Sequence, residues 1–230
     1  MTGGPVELRD IGACVFDAYG TLFDIGAAAA KCHDILGDKT DALTDIWRSK
    51  QLTYTWLRSL MGDYVGFNQV TADALDFALE TLAIDEAGLR DKLLVLYDEL
   101  DAYPEVPGVL RDLKAAGRYT AILSNGVPGM LQSAVAHAGI GDDLDAVLSV
   151  EAVGIYKPHP SVYQLAVEEL GVAPERICFL SSNAWDAAGA AHFGFQVVWV
   201  NRFGQKPERL PGKPMAEITN LAELLPLLSA

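Results

Sequence analysis

Asp17, Lys157 and Asp186, with the short polar residues that end several apolar runs, are the side chains here whose types fit covalent chemistry. Asp17 follows Ile11 to Phe16, an apolar run that reads as a buried strand. Gly20 then permits a sharp turn, and Thr21 offers a hydroxyl close to Asp17. A carboxylate at a strand end is a nucleophile, a metal ligand or a turn cap, and the residue alone does not choose among them. Its partners do more. Ser124-Asn125-Gly126 and Ser181-Ser182-Asn183 each close another apolar run, Lys157-Pro158 lies in a loop after a third, and Asp186 stands three residues beyond Asn183. Ser and Asn singly are ordinary helix caps. Together, gathered at one sheet edge from distant positions, they make a crevice site.

The elements that must position them fall into two blocks. From Ile25 to about Tyr103 there is no proline, and apolar residues recur at helical spacing. Helices are predicted over Ala27 to Leu36, Thr40 to Met61, Thr71 to Ala83 and Glu86 to Leu100. Such an all-α block has the size of a small domain and enters just after the Asp17 loop, where a cap over the site would sit. Beyond Pro104 and Pro107, strands and helices alternate. Strands are predicted at Tyr119 to Leu123, Ala146 to Ser149, Ile177 to Leu180 and Gln196 to Val200. Helices are predicted at Val109 to Ala116, Pro128 to Ala138, Ser161 to Leu170, Ala184 to Phe193 and Leu221 to Leu228. The fold class is α/β: a Rossmann-like parallel sheet with helices on both faces and an inserted all-α cap. Residues 1–24 with 104–230 make the core, and 25–103 the cap.

Composition narrows the partners. The formal net charge of −14 repels nucleic acid and anionic membranes, so an anionic substrate must find a local basic pocket. Three cysteines, Cys14, Cys32 and Cys178, make no disulfide framework and read as free thiols in a reducing compartment. No segment has the apolar length of a membrane span, and Met1 to Asp10 holds no signal-peptide core, so a cytoplasmic location is expected. His33, His137, His159 and His192 form no metal-ligand spacing among themselves or with the cysteines.

The motifs resemble the haloacid dehalogenase superfamily. Asp17-Ala18-Tyr19-Gly20-Thr21 matches its first motif, Asp-x-x-x-Thr after a strand; Ser124 matches the second and Lys157 the third. Phosphatases of the superfamily carry an acid two residues after the nucleophile, where this chain has Tyr19, and a magnesium-binding Gly-Asp-x-x-x-Asp, where it has Ser181-Ser182-Asn183-Ala184-Trp185-Asp186. A hard divalent cation wants carboxylates, and Ser182 stands in place of one. The pattern is similar instead to the L-2-haloacid dehalogenases, as are Ile46-Trp47-Arg48 and Tyr54-Thr55-Trp56-Leu57-Arg58 in the cap.

The resemblance implies a homodimer and the hydrolysis of short (S)-2-haloalkanoic acids to (R)-2-hydroxyalkanoic acids and halide, without metal or organic cofactor. Asp17 attacks C2 from behind the halogen and forms an ester. Lys157 favours ionised Asp17. Arg48 and Asn125 meet the leaving halide, and Ser124 holds the substrate carboxylate. Water then opens the ester, with Asp186 as its activator and Ser181, Asn183, Thr21 and Lys157 in support. Tyr19, Leu52, Phe67 and Trp185 make a water-poor wall, although Leu52, Phe67, Trp47 and Trp56 also fit ordinary core packing. Tyr163 orients Lys157 or a cap group, and Arg58 is structural. The alternative is a magnesium-dependent phosphatase of the same superfamily, which turnover in EDTA separates.

Overall fold

The computed structural model describes residues 8–228. Most of the stretch read for a signal segment, before Leu8, lies outside them. Six parallel strands form one sheet in the order β3-β2-β1-β4-β5-β6: β1 Ala13–Phe16, β2 Tyr119–Ser124, β3 Ala146–Ser149, β4 Ile177–Ser181, β5 Gln196–Val200 and β6 Ala216–Ile218. Every residue of β1 and β4 is buried, as the unbroken apolar runs of these strands require. Strand order runs one way from β1 through β2 to β3 and the other way through β4, β5 and β6. The crevice at such a switch point lies between the carboxyl ends of β1 and β4. Cys14 and Cys178 pair in register across these strands as buried free thiols, as core packing predicts.

Helices α6 (Val106–Ala115), α7 (Pro128–Ala138), α8 (Pro160–Leu170) and α9 (Ala184–Phe193) alternate with the strands. The inserted cap carries α1 (Ala27–Ala30), α2 (His33–Leu36), α3 (Thr40–Met61), α4 (Phe67–Thr81) and α5 (Leu89–Asp98). Several boundaries differ from the sequence reading. Ala27 to Leu36 is two short helices, because the chain breaks at Lys31-Cys32 and Cys32 turns inward, 1% exposed. Helix α4 begins four residues early, at Phe67, after an extended Gly66. Leu221 to Leu228 is a pair of 3-10 turns, since Pro226 has no N–H to continue a helix. Strand β6, three residues long, is too short for sequence alternation to signal it.

The chain enters and leaves the cap side by side. Asp24 N donates to Asp101 O (3.0 Å), Tyr103 N donates to Leu22 O (2.9 Å), and Phe23 bridges Ala102. Arg202, in the loop after β5, clamps this crossing. Its Nη2 donates to Thr21 O (2.9 Å) and pairs with Glu105 Oε1 (2.7 Å), and its guanidinium lies over the Tyr103 ring at 3.8 Å. Both ion-pair partners are largely buried, 8% and 14% exposed, so removing one strands the other's charge. Arg202→Met is therefore expected to lower unfolding free energy by about 3 kcal/mol, read as a lower denaturant midpoint at unchanged slope. A shift below about 0.5 kcal/mol contradicts the clamp.

Candidate active site

The site assembles where the sheet places its strand ends. Asp17 is the residue after β1, and its N–H donates to Leu180 O of β4 at 2.9 Å. Gly20, at φ 85°, adopts a left-handed conformation that side-chain-bearing residues rarely take, and its N–H closes the loop on Phe23 O (2.8 Å). That turn returns Thr21 Oγ1 to Asp17 Oδ2 (3.2 Å), while the same hydroxyl accepts from Ser182 N (2.8 Å). Asn183 Nδ2 donates to Asp17 Oδ2 at 2.9 Å, and Ser181 Oγ reaches it at 3.5 Å. Ser181 Oγ also accepts from Asn183 N (3.1 Å), which fixes the turn into α9.

Lys157 sits between the two carboxylates. Its Nζ is 3.1 Å from Asp17 Oδ1 and 2.9 Å from Asp186 Oδ2, and the side chain is 1% exposed. Asp186 lies in the first turn of α9, wholly buried, and accepts from Tyr163 OH at Oδ1 (2.8 Å). Burial by itself pulls the Lys157 ammonium down, but Asp17 and Asp186 outweigh it and hold its pKa above the ordinary lysine value. Burial pushes the Asp186 carboxyl up; Lys157 pulls it back, Asp17 adds to the rise, and the result is a carboxylate more ready than usual to accept a proton. The Lys157 backbone N–H donates to Asn125 Oδ1 (3.1 Å), and next to it Tyr156 binds the cap through Val65 O (2.6 Å) and Ser59 Oγ (3.2 Å). Ser124 Oγ accepts from Gly126 N (3.1 Å).

The cap supplies the opposite wall. Arg48 Nη2, from α3, donates to Asn183 Oδ1 (3.0 Å), so one amide touches both Asp17 and the cap arginine. Tyr19 is 3% exposed and packs against Phe67 (centroids 5.7 Å) and Tyr97 (5.4 Å). A Cβ at Gly126 would meet Tyr19 Cε2 at 2.9 Å, so that wall admits glycine alone without a shift. Trp185 meets Trp56 edge to face at 5.3 Å. Leu52, half-buried, lies one helical turn beyond Arg48 on α3. A groove of about 750 Å³ between cap and core reaches Lys157 past Trp56, Leu60, Ile155, Pro158 and Trp185.

Asp17, Thr21, Lys157, Ser181, Asn183, Asp186 and Arg48 thus converge in one hydrogen-bonded set, with Ser124, Asn125, Tyr19 and Phe67 adjoining it. Tyr163 departs from the reading: fully buried, it gives its hydroxyl to Asp186 and not to Lys157 or a cap group. Arg58 pairs with Asp63 (3.1 Å) and Asp73 (3.6 Å) within the cap, as a structural residue does. Gln51, Tyr97 and Arg202 carried no motif and were missed. A magnesium ion does not fit here: the space shared by the Asp17 and Asp186 carboxylates holds the Lys157 ammonium, and among the described residues no three His, Cys, Asp or Glu side chains converge.

A buried aspartate at the switch point of a capped parallel sheet, ion-paired to lysine, defines the class. Residues 11–194 match the model for haloacid dehalogenase-like hydrolases, and the chain belongs to that family. Within it the chain groups with the (S)-2-haloacid dehalogenases. It is 47% identical over 218 residues to (S)-2-haloacid dehalogenase 4A of Burkholderia cepacia, covering 94% of each chain. It is 47% identical over 220 residues to (S)-2-haloacid dehalogenase 1 of Pseudomonas sp. strain CBS-3, covering 95% of this chain and 96% of that one. The L-2-haloacid dehalogenase of Xanthobacter autotrophicus with chloropropionic acid covalently bound superposes with a TM-score of 0.87 at 40% identity, covering 94% of this chain and 98% of that one.

Tyr163 lends itself to a direct test. Its hydrogen bond favours ionised Asp186. Tyr163→Phe should raise the Asp186 carboxyl pKa, followed by side-chain carboxyl NMR across pH. An unchanged titration contradicts the assignment.

Proposed function

We propose that the chain hydrolyses short (S)-2-haloalkanoic acids to (R)-2-hydroxyalkanoic acids and halide through an ester on Asp17. The observation that carries the reading is the buried Lys157 ammonium shared by Asp17 and Asp186, with Tyr19 where a phosphatase needs a second acid. Asp17 is 6% exposed, so its carboxylate meets a substrate with little water around it. Oδ2 is already held by Thr21, Asn183 and Ser181, which aims the carboxylate. The substrate enters by the groove beside Trp56 and Trp185 and stands against Tyr19, Leu52, Phe67 and Trp185. Its carboxylate is met by Ser124 and the backbone N–H groups of the Asp17 loop. Asp17 displaces the halide from the rear of C2, inverting configuration once, while Arg48 and the Asn125 amide stabilise the departing charge.

Hydrolysis of the ester follows. Asp186, held by Lys157 and Tyr163, takes the proton of a water that attacks the Asp17 carbonyl carbon. As that tetrahedral centre opens, Asp186 returns its proton to the departing alkoxide oxygen and the hydroxy acid leaves; the Asp17 carboxyl then gives its own proton to water, which restores the carboxylate. Residues 25–103 act as the cap and the remainder as the core. No organic cofactor or metal takes part. Three buried free cysteines support a reducing, cytoplasmic setting. Among the described residues no helix is long and apolar enough to cross a membrane. Leu57, Leu60 and Met61, exposed at the end of α3, support a second copy of this chain as partner.

Two experiments test the reading. The enzyme should release chloride from (S)-2-chloropropionate, with or without EDTA, and leave the (R) enantiomer intact; activity lost in EDTA, or confined to phosphate esters, overturns it. Arg48→Ala should lower halide release by about 10²–10³-fold, as removing one transition-state donor does. Arg48→Lys should fall between it and wild type, since ammonium lacks the planar fork. Arg58→Ala should change little. An inactive Arg58→Ala beside a near-normal Arg48→Ala misplaces the cap residue.

A further inference from the structure

Arg48 crosses from cap to core, and its other nitrogen is held from behind. Nη1 donates to Gln51 Oε1 at 2.7 Å while Nη2 donates to Asn183 Oδ1 at 3.0 Å. Gln51 is 1% exposed. Its Nε2 donates to Thr71 Oγ1 on α4 (2.8 Å) and lies 3.2 Å from Tyr97 OH on α5, and that hydroxyl reaches back to Gln51 Oε1 at 3.3 Å. Burial raises the Tyr97 pKa, so it remains a phenol with a proton to donate. Trp47, beside Arg48, gives its indole N–H to Thr71 O (2.9 Å) and packs on Tyr97 (5.3 Å).

The polarity of this network has one consistent solution. A carboxamide has a donor end and an acceptor end, whereas guanidinium has donors alone. With Nε2 committed to Thr71, Oε1 faces Arg48; the flipped amide would set N–H against N–H. Neutrality matters as well. A carboxylate in place of the amide would hold the arginine but cancel much of its charge, whereas glutamine orients it and leaves the charge for a developing anion.

We propose that Gln51 is the positioning residue for Arg48, tying the arginine's orientation to all three long cap helices. The proposal rests on the reading of Arg48 as the group at the departing halide. A misplaced transition-state donor costs kcat more than substrate affinity. Gln51→Met, of similar length without acceptor or donor, is expected to lower kcat for (S)-2-chloropropionate by roughly tenfold with little change in KM. Gln51→Glu keeps the acceptor and the size, folds where the Met variant fails to, and is expected to lose rate several-fold through neutralisation.

The decisive arm combines Gln51→Met with Arg48→Lys. A role exercised through Arg48 predicts that the second substitution adds less than about twofold to the first. Leu43→Ala, a buried cap change outside the Gln51 hydrogen-bond network, controls for general loosening: it lowers Tm and keeps kcat. Equal losses from Gln51→Met in both backgrounds, or wild-type kcat in both Gln51 variants while Arg48→Lys is impaired, overturn the positioning role and leave the Arg48 reading standing. Full activity in Arg48→Lys overturns the Arg48 reading itself, and the positioning role with it.

Discussion

The structure depends on one buried cation. Lys157 Nζ lies 3.1 Å from Asp17 and 2.9 Å from Asp186; the Lys157 and Asp186 side chains are buried, and that of Asp17 keeps 9% exposure toward the site. Taking such charges out of water costs several kcal/mol each, and mutual attraction repays that cost if geometry is good and remaining lone pairs are satisfied. They are: Asp17 receives Thr21, Asn183 and Ser181, and Asp186 receives Tyr163. Two carboxylates and one ammonium leave one net negative charge, which suits an anionic nucleophile. The Tyr163 and Lys157 contacts fall on different oxygens of Asp186, so they fix its plane as well as its charge.

That core is sealed and aligned by the cap at three places. At the crossing between cap and core, Arg202 joins Thr21, Tyr103 and Glu105, so the turn that carries the Thr21 hydroxyl shares a partner with the segment returning from the cap. Over the site, Arg48 meets Asn183, and the aromatic layer of Tyr19, Phe67, Tyr97 and Trp47 fills the space between. Tyr156 adds a third contact, binding the Lys157 loop to Val65 and Ser59.

Much of this was legible from residue order. The runs ending at Asp17, Ser124 and Ser181 read as strands because each is mainly apolar and bounded by small polar residues. The alternation after Pro104 then required a parallel sheet, and with it a site at one edge. What stayed hidden is tertiary. Gln51 is an unremarkable polar position on a helix until Thr71 and Tyr97 arrive from two others. Arg202 finds partners roughly 100 to 180 positions away in sequence. Sequence order sets Tyr163 close to Lys157, but its depth on α8 brings its hydroxyl to the far oxygen of Asp186. Strand β6 is three residues long, below the length at which alternation carries a signal. The break in Ala27 to Leu36 comes from Cys32 turning into the core, which helical spacing does not foresee.

The central step is the bond that a buried aspartate, ion-paired with Lys157, forms to carbon. Single turnover in oxygen-18 water, with enzyme in excess over (S)-2-chloropropionate, reads it directly. The account predicts unlabelled hydroxy acid from the first turnover and label in the Asp17 carboxylate, located by mass spectrometry of the peptide containing it. Label in the first-turnover product, with Asp17 unlabelled, would show that water attacks C2 and would contradict the covalent route.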